Sequence, residues 1–113
     1  MKIKISSLSK DKDFKSLLSG RKIGNKYLTI FFKKLSDKSD KKLNISFVAK
    51  KKLGNAVKRN KVKRRLRNIM RETIKNINLN YEYSYLLIAK KNMLEDTYEN
   101  IKQIIFKDFK KIK

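Results

Sequence analysis

The chain is 113 residues long, a length that suits one compact domain, and its 32 lysines and arginines against 10 acidic residues leave it at +22 near neutral pH. Self-repulsion of that size in so small a fold is relieved when a polyanion neutralises it and counterions are released, so the charge points to nucleic acid. With no cysteine and no histidine, disulfides, thiolate or imidazole metal sites and histidine-based acid–base catalysis are excluded, while 40% hydrophobic residues still supply a modest core.

The N-terminal MKIKISSLSKDKDF alternates and breaks off too early for the apolar stretch of a signal segment, and no apolar run approaches the length that spans a bilayer. A cytoplasmic protein without a membrane partner is expected. SKDKDFKSLLSG predicts a short helix. Ser9 can cap it, Asp11 and Asp13 suit its positive end, Phe14, Leu17 and Leu18 share one face, and Gly20 ends it. RKIGN carries a weak strand signal. YLTIFFKKL, Tyr27 to Leu35, is β-branched and aromatic and predicts a strand with Leu28, Ile30 and Phe32 on one side and Tyr27, Thr29 and Phe31 on the other. After the polar turn SDKSDKK, LNISFVAK (Leu43 to Lys50) returns as a second strand.

The basic loop KKKLGN leads into NAVKRNKVKRRLRNIMRE, Asn55 to Glu72. At about 100° per residue, Val62, Leu66, Ile69, Thr73 and Ile77 fall on one side of a helix. Asn60, Arg64, Arg67 and Arg71 form a stripe opposite, bordered by Lys61, Asn68 and Lys75 on one edge and Lys63 on the other. Arginine's planar fork matches two phosphate oxygens, and a rigid helix carries several such forks along a sugar–phosphate ridge without ordering each separately. A merely solvated face would carry acids at i±4, yet Glu72 is the lone acid of this segment. NINLNYEY then reads as a loop, and SYLLIAKK, Ser84 to Lys91, as a buried strand. In LEDTYENIKQIIFKDFKKIK, Asp96 and Glu99 have the spacing of a capping box with Asp96 as the cap, and Ile101, Ile104, Ile105, Phe109 and Ile112 trace one helical face. The acids at this helix start are expected to be structural and not a metal cluster. The order α-β-β-β-α-β-α predicts an α+β sandwich: a small mixed sheet of about four strands with helices, one domain over residues 1–113.

The run KKKLGNAVKRNKVKRRLRN resembles the RNR signature of the protein subunit of bacterial ribonuclease P, through its lysines, the Gly-Asn-Ala-Val lead-in, Arg59-Asn60, Lys63-Arg64 and Arg67. LSKDKDF, YLLIAKK and the amphipathic C-terminal helix are similar to further parts of that family, so the resemblance covers nearly the whole chain. It implies an RNA-binding surface of Lys51, Lys52, Asn55, Lys58, Arg59, Asn60, Lys61, Lys63, Arg64, Arg67, Asn68 and Arg71. It also implies a cleft for the single-stranded 5′ leader of precursor tRNA, with Phe14, Leu18, Phe31 and Lys90. Three positions depart from the family pattern: Leu18 stands where a second aromatic is frequent, Phe31 where tyrosine is common, and Lys90 where arginine often occurs. For a lone aromatic, simple core packing is the ordinary role, and Phe14 and Phe31 are weighed against it.

The resemblance further implies that the catalytic RNA of ribonuclease P and precursor tRNA are the partners. Mg2+ would be held mainly by that RNA, with none bound tightly by the protein. The β-α-β unit around the basic helix would cross over left-handed, against the general preference. The protein would act within an endoribonuclease holoenzyme and would be inactive alone, in keeping with its lack of histidine and of a two-metal carboxylate pattern. A helix-turn-helix DNA binder needs a short helix just before the basic one, where NISFVAKKKLG reads as strand and loop, so no DNA partner is expected. A ribosomal-type protein more often carries its charge on a disordered extension than on a patterned helix.

Overall fold

Alternation from Leu28 to Phe32 decides how the sheet divides the molecule. In the computed structural model, which describes residues 4–6, 11–34, 42–77, 79 and 83–112, with side chains for 15–34, 45–77, 79 and 83–112, five strands and three α-helices follow one another. They are β1 (Lys4–Ser6), α1 (Asp11–Leu18), β2 (Arg21–Gly24), β3 (Leu28–Lys34), β4 (Lys42–Val48), α2 (Ala56–Asn76), β5 (Tyr83–Ala89) and α3 (Tyr98–Lys110). Single 3-10 turns at Lys51–Leu53 and Lys91–Leu94 precede α2 and α3. The sheet runs β1-β4-β5-β3-β2. β1, β4 and β5 are parallel, and β3 is antiparallel to both β5 and β2. β4, α2 and β5 therefore form the expected parallel β-α-β unit.

Strand β1 was not foreseen, and it raises the count from about four to five. Its three residues are too few to show a periodic pattern, and it is defined by pairing Lys4 to Ser6 alongside Lys42 to Asn44. The weakly signalled RKIGN is a true edge strand, with Ile23 paired to Ile30. Ser9, the expected cap of α1, and the side chain of Phe14 lie outside the described residues.

One face of the sheet holds the main core. Leu28, Ile30 and Phe32 of β3, Ile45 of β4, and Tyr85, Leu87 and Ala89 of β5 are buried against Val62, Leu66, Ile69 and Met70 of α2 and Ile101, Ile105 and Phe109 of α3. Each of the larger aliphatic and aromatic side chains contributes roughly 1.5–3 kcal/mol when it leaves water, which makes this face the chief source of stability. Leu86, between Ser46 and Phe31, points to the other face. There α1 packs on β3 and β5, with Leu17 fully buried. Gly20 lets α1 end against β3, because a Cβ there would sit 2.9 Å from the Phe32 carbonyl oxygen. Since α1 is only eight residues long, it covers part of this second face and leaves the part around Thr29, Phe31 and Ile88 open.

The start of α3 differs from the capping box expected from sequence. Thr97 is the N-cap, its Oγ1 accepting the Asn100 N–H at 3.2 Å, while Glu99 pairs with Lys102 at 3.1 Å and does not reach back. Asp96 lies one residue earlier because its carboxylate is drawn elsewhere. It accepts the Tyr27 hydroxyl, the Asn100 side-chain amide at 2.9 Å and the Thr97 N–H at 2.7 Å. These donors, the Tyr27 hydroxyl foremost, hold the Asp96 carboxyl at about 2, below its ordinary 3.8. A depressed carboxylate stabilises the fold above its unfolded value, and that contribution disappears as pH falls through the folded value. Asp96→Asn should therefore lower the melting temperature near neutral pH, and the gap to wild type should close as pH drops from about 4 to about 2. A gap that stays constant across that range would contradict the account.

Candidate RNA interface

Helix α2 starts from a turn that only glycine adopts easily. Gly54 has φ +139°, and a Cβ there would also lie 2.7 Å from Cδ of Lys58. Asn55 follows as N-cap, its Oδ1 accepting the Lys58 N–H at 3.0 Å. From there the helix runs 21 residues with its two faces sharply separated. Val62, Leu66, Ile69, Met70 and Thr73 are all fully buried, whereas Asn60, Arg64, Arg67 and Arg71 are exposed. Lys58, Lys61, Asn68 and Lys75 are exposed beside them, and Lys63 is half-buried on the other edge. Lys51 and Lys52, in the 3-10 turn before the helix, are exposed as well. Among the described residues none of Arg64, Arg67 and Arg71 pairs with a carboxylate. The lone acid of the helix faces α3, where Glu72 accepts the Tyr98 hydroxyl at 2.7 Å and lies 3.6 Å from Lys102. Burial, followed by Glu72, raises Tyr98 to about 12, so its hydroxyl stays a donor at any ordinary pH.

Two basic residues of the run depart from the stripe. Arg59 is half-buried, and its Nε is enclosed without an acceptor among the described residues. Arg65 is half-buried too and turns inward, its Nη1 donating to the carbonyls of Met93 at 2.9 Å and Asp96 at 3.1 Å. At about 100° per residue Arg65 lies off the stripe, and nothing in the sequence gives its partners.

A second candidate surface lies on the other face of the sheet. The part that α1 leaves open is a cleft of about 430 Å³ with Thr29, Phe31 and Ile88 as its floor, Leu53 and Ala89 beside them, and Lys50, Lys52, Lys90 and Lys91 around it. Phe31 is half-buried, which leaves part of its ring open to the cleft. An aromatic and aliphatic lining with lysines beside it suits a base and its phosphates. The structure thus brings Phe31 and Lys90 into one lining. It does not bring in Leu18, which is 44% exposed at the end of α1 and outside the lining. Lys50, Lys91, Thr29 and Ile88 were missed in sequence. The alternation of β3 would have found Thr29, which shares Phe31's side, whereas Ile88 is hidden in an unbroken apolar run. Lys90 is held in place by its own contacts: its N–H donates to the Tyr27 carbonyl at 2.7 Å and its Nζ to the Asn25 carbonyl at 2.6 Å.

Three of the described carboxylates serve the fold. Asp96 and Glu72 are engaged as described, and buried Asp108 accepts the Asn25 side-chain amide at 2.7 Å. Among the described residues no group of three or more acidic side chains could hold a metal ion, and no helix is long and apolar enough to cross a membrane.

Fold and surfaces together define a small basic α+β protein with an arginine-striped helix and, across its sheet, a cleft lined by lysines. Comparison with known proteins narrows that class. The family model described as Ribonuclease P matches residues 3–113. The ribonuclease P protein component of Mycoplasma mycoides subsp. mycoides SC is 32% identical over 106 residues, spanning 94% of each chain. That of Fusobacterium nucleatum is 35% identical over 111 residues, spanning 95% of this chain and 89% of the relative. Among solved structures, the ribonuclease P protein of Thermotoga maritima superimposes with a TM-score of 0.79 at 23% identity, over 96% of this chain and 98% of the other. The Staphylococcus aureus protein gives 0.71 at 26%, over 94% and 93%. The chain belongs to the ribonuclease P protein family.

Proposed function

We propose that the chain is the protein subunit of a ribonuclease P holoenzyme and works by binding, not by chemistry of its own. The α2 stripe grips the catalytic RNA, and the cleft holds the 5′ leader of precursor tRNA. Together they support the metal-assisted endonucleolytic cut that leaves mature tRNA 5′ ends. The observation that carries this reading is the pair of faces on α2. Four stripe residues stand exposed on a helix whose opposite side is fully buried, so the charges are presented in a fixed row. Phosphate contacts of that kind position an RNA without reading its sequence. In this reading Mg2+ is held mainly by the partner RNA, and the described carboxylates Glu72, Asp96 and Asp108 are engaged within the fold. The protein's part is charge neutralisation and orientation.

Stacking on the cleft floor is sequence-tolerant, as a leader-binding site requires, and contributes roughly 1–3 kcal/mol per base. Phe31→Ala is expected to weaken binding of leader-bearing precursor tRNA to the reconstituted holoenzyme by roughly five- to a hundredfold. Binding of mature tRNA and assembly with the partner RNA should change little. If Phe31 only packs, the variant should instead melt lower and lose all three together. Paired titrations with precursor and mature tRNA, beside a melting curve, separate the two outcomes.

A further inference from the structure

We propose that Arg65 is a positioning residue that fixes the leader cleft relative to the RNA-gripping face of α2, although it sits within the basic run. The inference rests on the assignment of those two surfaces made above. Both carbonyls that Arg65 binds, those of Met93 and Asp96, belong to residues 90–97, the strap between β5 and α3. The same strap carries Lys90 and Lys91 into the cleft.

The strap is fastened from several sides. On the strand side, the Lys90 N–H and Nζ bind the carbonyls of Tyr27 and Asn25, and the Tyr27 hydroxyl donates to the Asp96 carboxylate. In the core, Met93 is fully buried, and its N–H donates to the Lys90 carbonyl at 3.0 Å. On the helix side, Arg65 supplies the bonds from α2. Beside the apolar packing of α2 against Met93 and α3, the other described polar tie between α2 and the C-terminal part of the chain, Glu72 to Tyr98 and Lys102, reaches α3 itself and not the strap. One guanidinium nitrogen shared between two carbonyls is a charge-assisted and directional link. It joins the helix that bears the stripe to the segment that bears two cleft lysines. A substrate that touches both surfaces at once gains from a fixed spacing, because the second contact then costs less ordering.

The test uses the reconstituted holoenzyme with Arg65→Met, which keeps much of the aliphatic stem but cannot donate, and Arg65→Lys, which keeps the charge without the fork. Two quantities are measured below the melting temperature of each variant. One is the affinity for the partner RNA with its salt slope; the other is the ratio of dissociation constants for mature and leader-bearing precursor tRNA. The expected result is that Arg65→Met leaves assembly and salt slope at the wild-type value. The preference for the leader-bearing substrate should fall roughly five- to tenfold, the low end of an ordinary coupling between two sites. Arg65→Lys should fall between Arg65→Met and wild type in that ratio, and it carries the test if Arg65→Met does not fold. A salt slope reduced by roughly 0.7–0.9 would make Arg65 a phosphate contact like its neighbours and overturn the proposal. An unchanged preference in both variants would overturn it as well. Failure of the underlying assignment looks different, because the wild-type holoenzyme itself would then show no preference for the leader.

Discussion

Replacing Arg64 and Arg67 together by alanine should leave the melting temperature near that of the wild type while weakening assembly with the partner RNA by roughly a hundredfold. Two charge-assisted contacts at about 1.5 kcal/mol each sum to about 3 kcal/mol. Both side chains are exposed and unpaired with carboxylates among the described residues, so the fold loses little when they go. The slope of log affinity against log salt should also flatten by roughly 1.4–1.8, since each lost phosphate contact removes about 0.7–0.9. An unaltered slope would show that the stripe is a solvated surface and nothing more.

The opposite face of the same helix should give the reverse result. Leu66 is fully buried in the core cluster with Ile69, Met70 and the strands of the sheet. Truncating it to alanine removes buried methyl groups and leaves a cavity, at a cost of about 2–5 kcal/mol. Against the roughly 5–15 kcal/mol that holds an ordinary domain together, that is a large share, and the melting temperature should fall by about 10–20 °C. RNA binding by the fraction that remains folded should be unchanged, because every stripe residue is still in place. Thermal unfolding followed beside RNA titration at low temperature checks both halves of this expectation. A variant that stays as stable as the wild type would mean that α2 is not held by its apolar face.

Features that repeat along the chain were legible before any coordinates. The two faces of α2, the alternation of β3 and the apolar row of α3 each rest on several residues at a fixed spacing, and burial follows them. What escaped lacks either length or a local signal. β1 has three residues and exists through its pairing with β4. The cap of α3 moved from Asp96 to Thr97 because a tyrosine 69 residues earlier claims the aspartate, a contact that no local pattern encodes. Arg65 illustrates the same limit within the candidate site. Its acceptors are backbone carbonyls 28 and 31 residues away, and carbonyls leave no mark on a sequence. The cleft was half legible: Phe31 followed from strand alternation and family resemblance, whereas its union with Lys50, Lys52 and Lys91 depends on how the loops after β4 and β5 converge.

The central claim is that this chain makes an RNA's cleavage of precursor tRNA productive by binding both the RNA and the leader. The most direct measurement is the rate of leader removal by the partner RNA at low magnesium, with and without the protein. The account predicts little cleavage by the RNA alone, efficient release of the leader when the protein is added, and no cleavage by the protein without the RNA. Equal rates with and without the protein, or cutting by the protein alone, would contradict it.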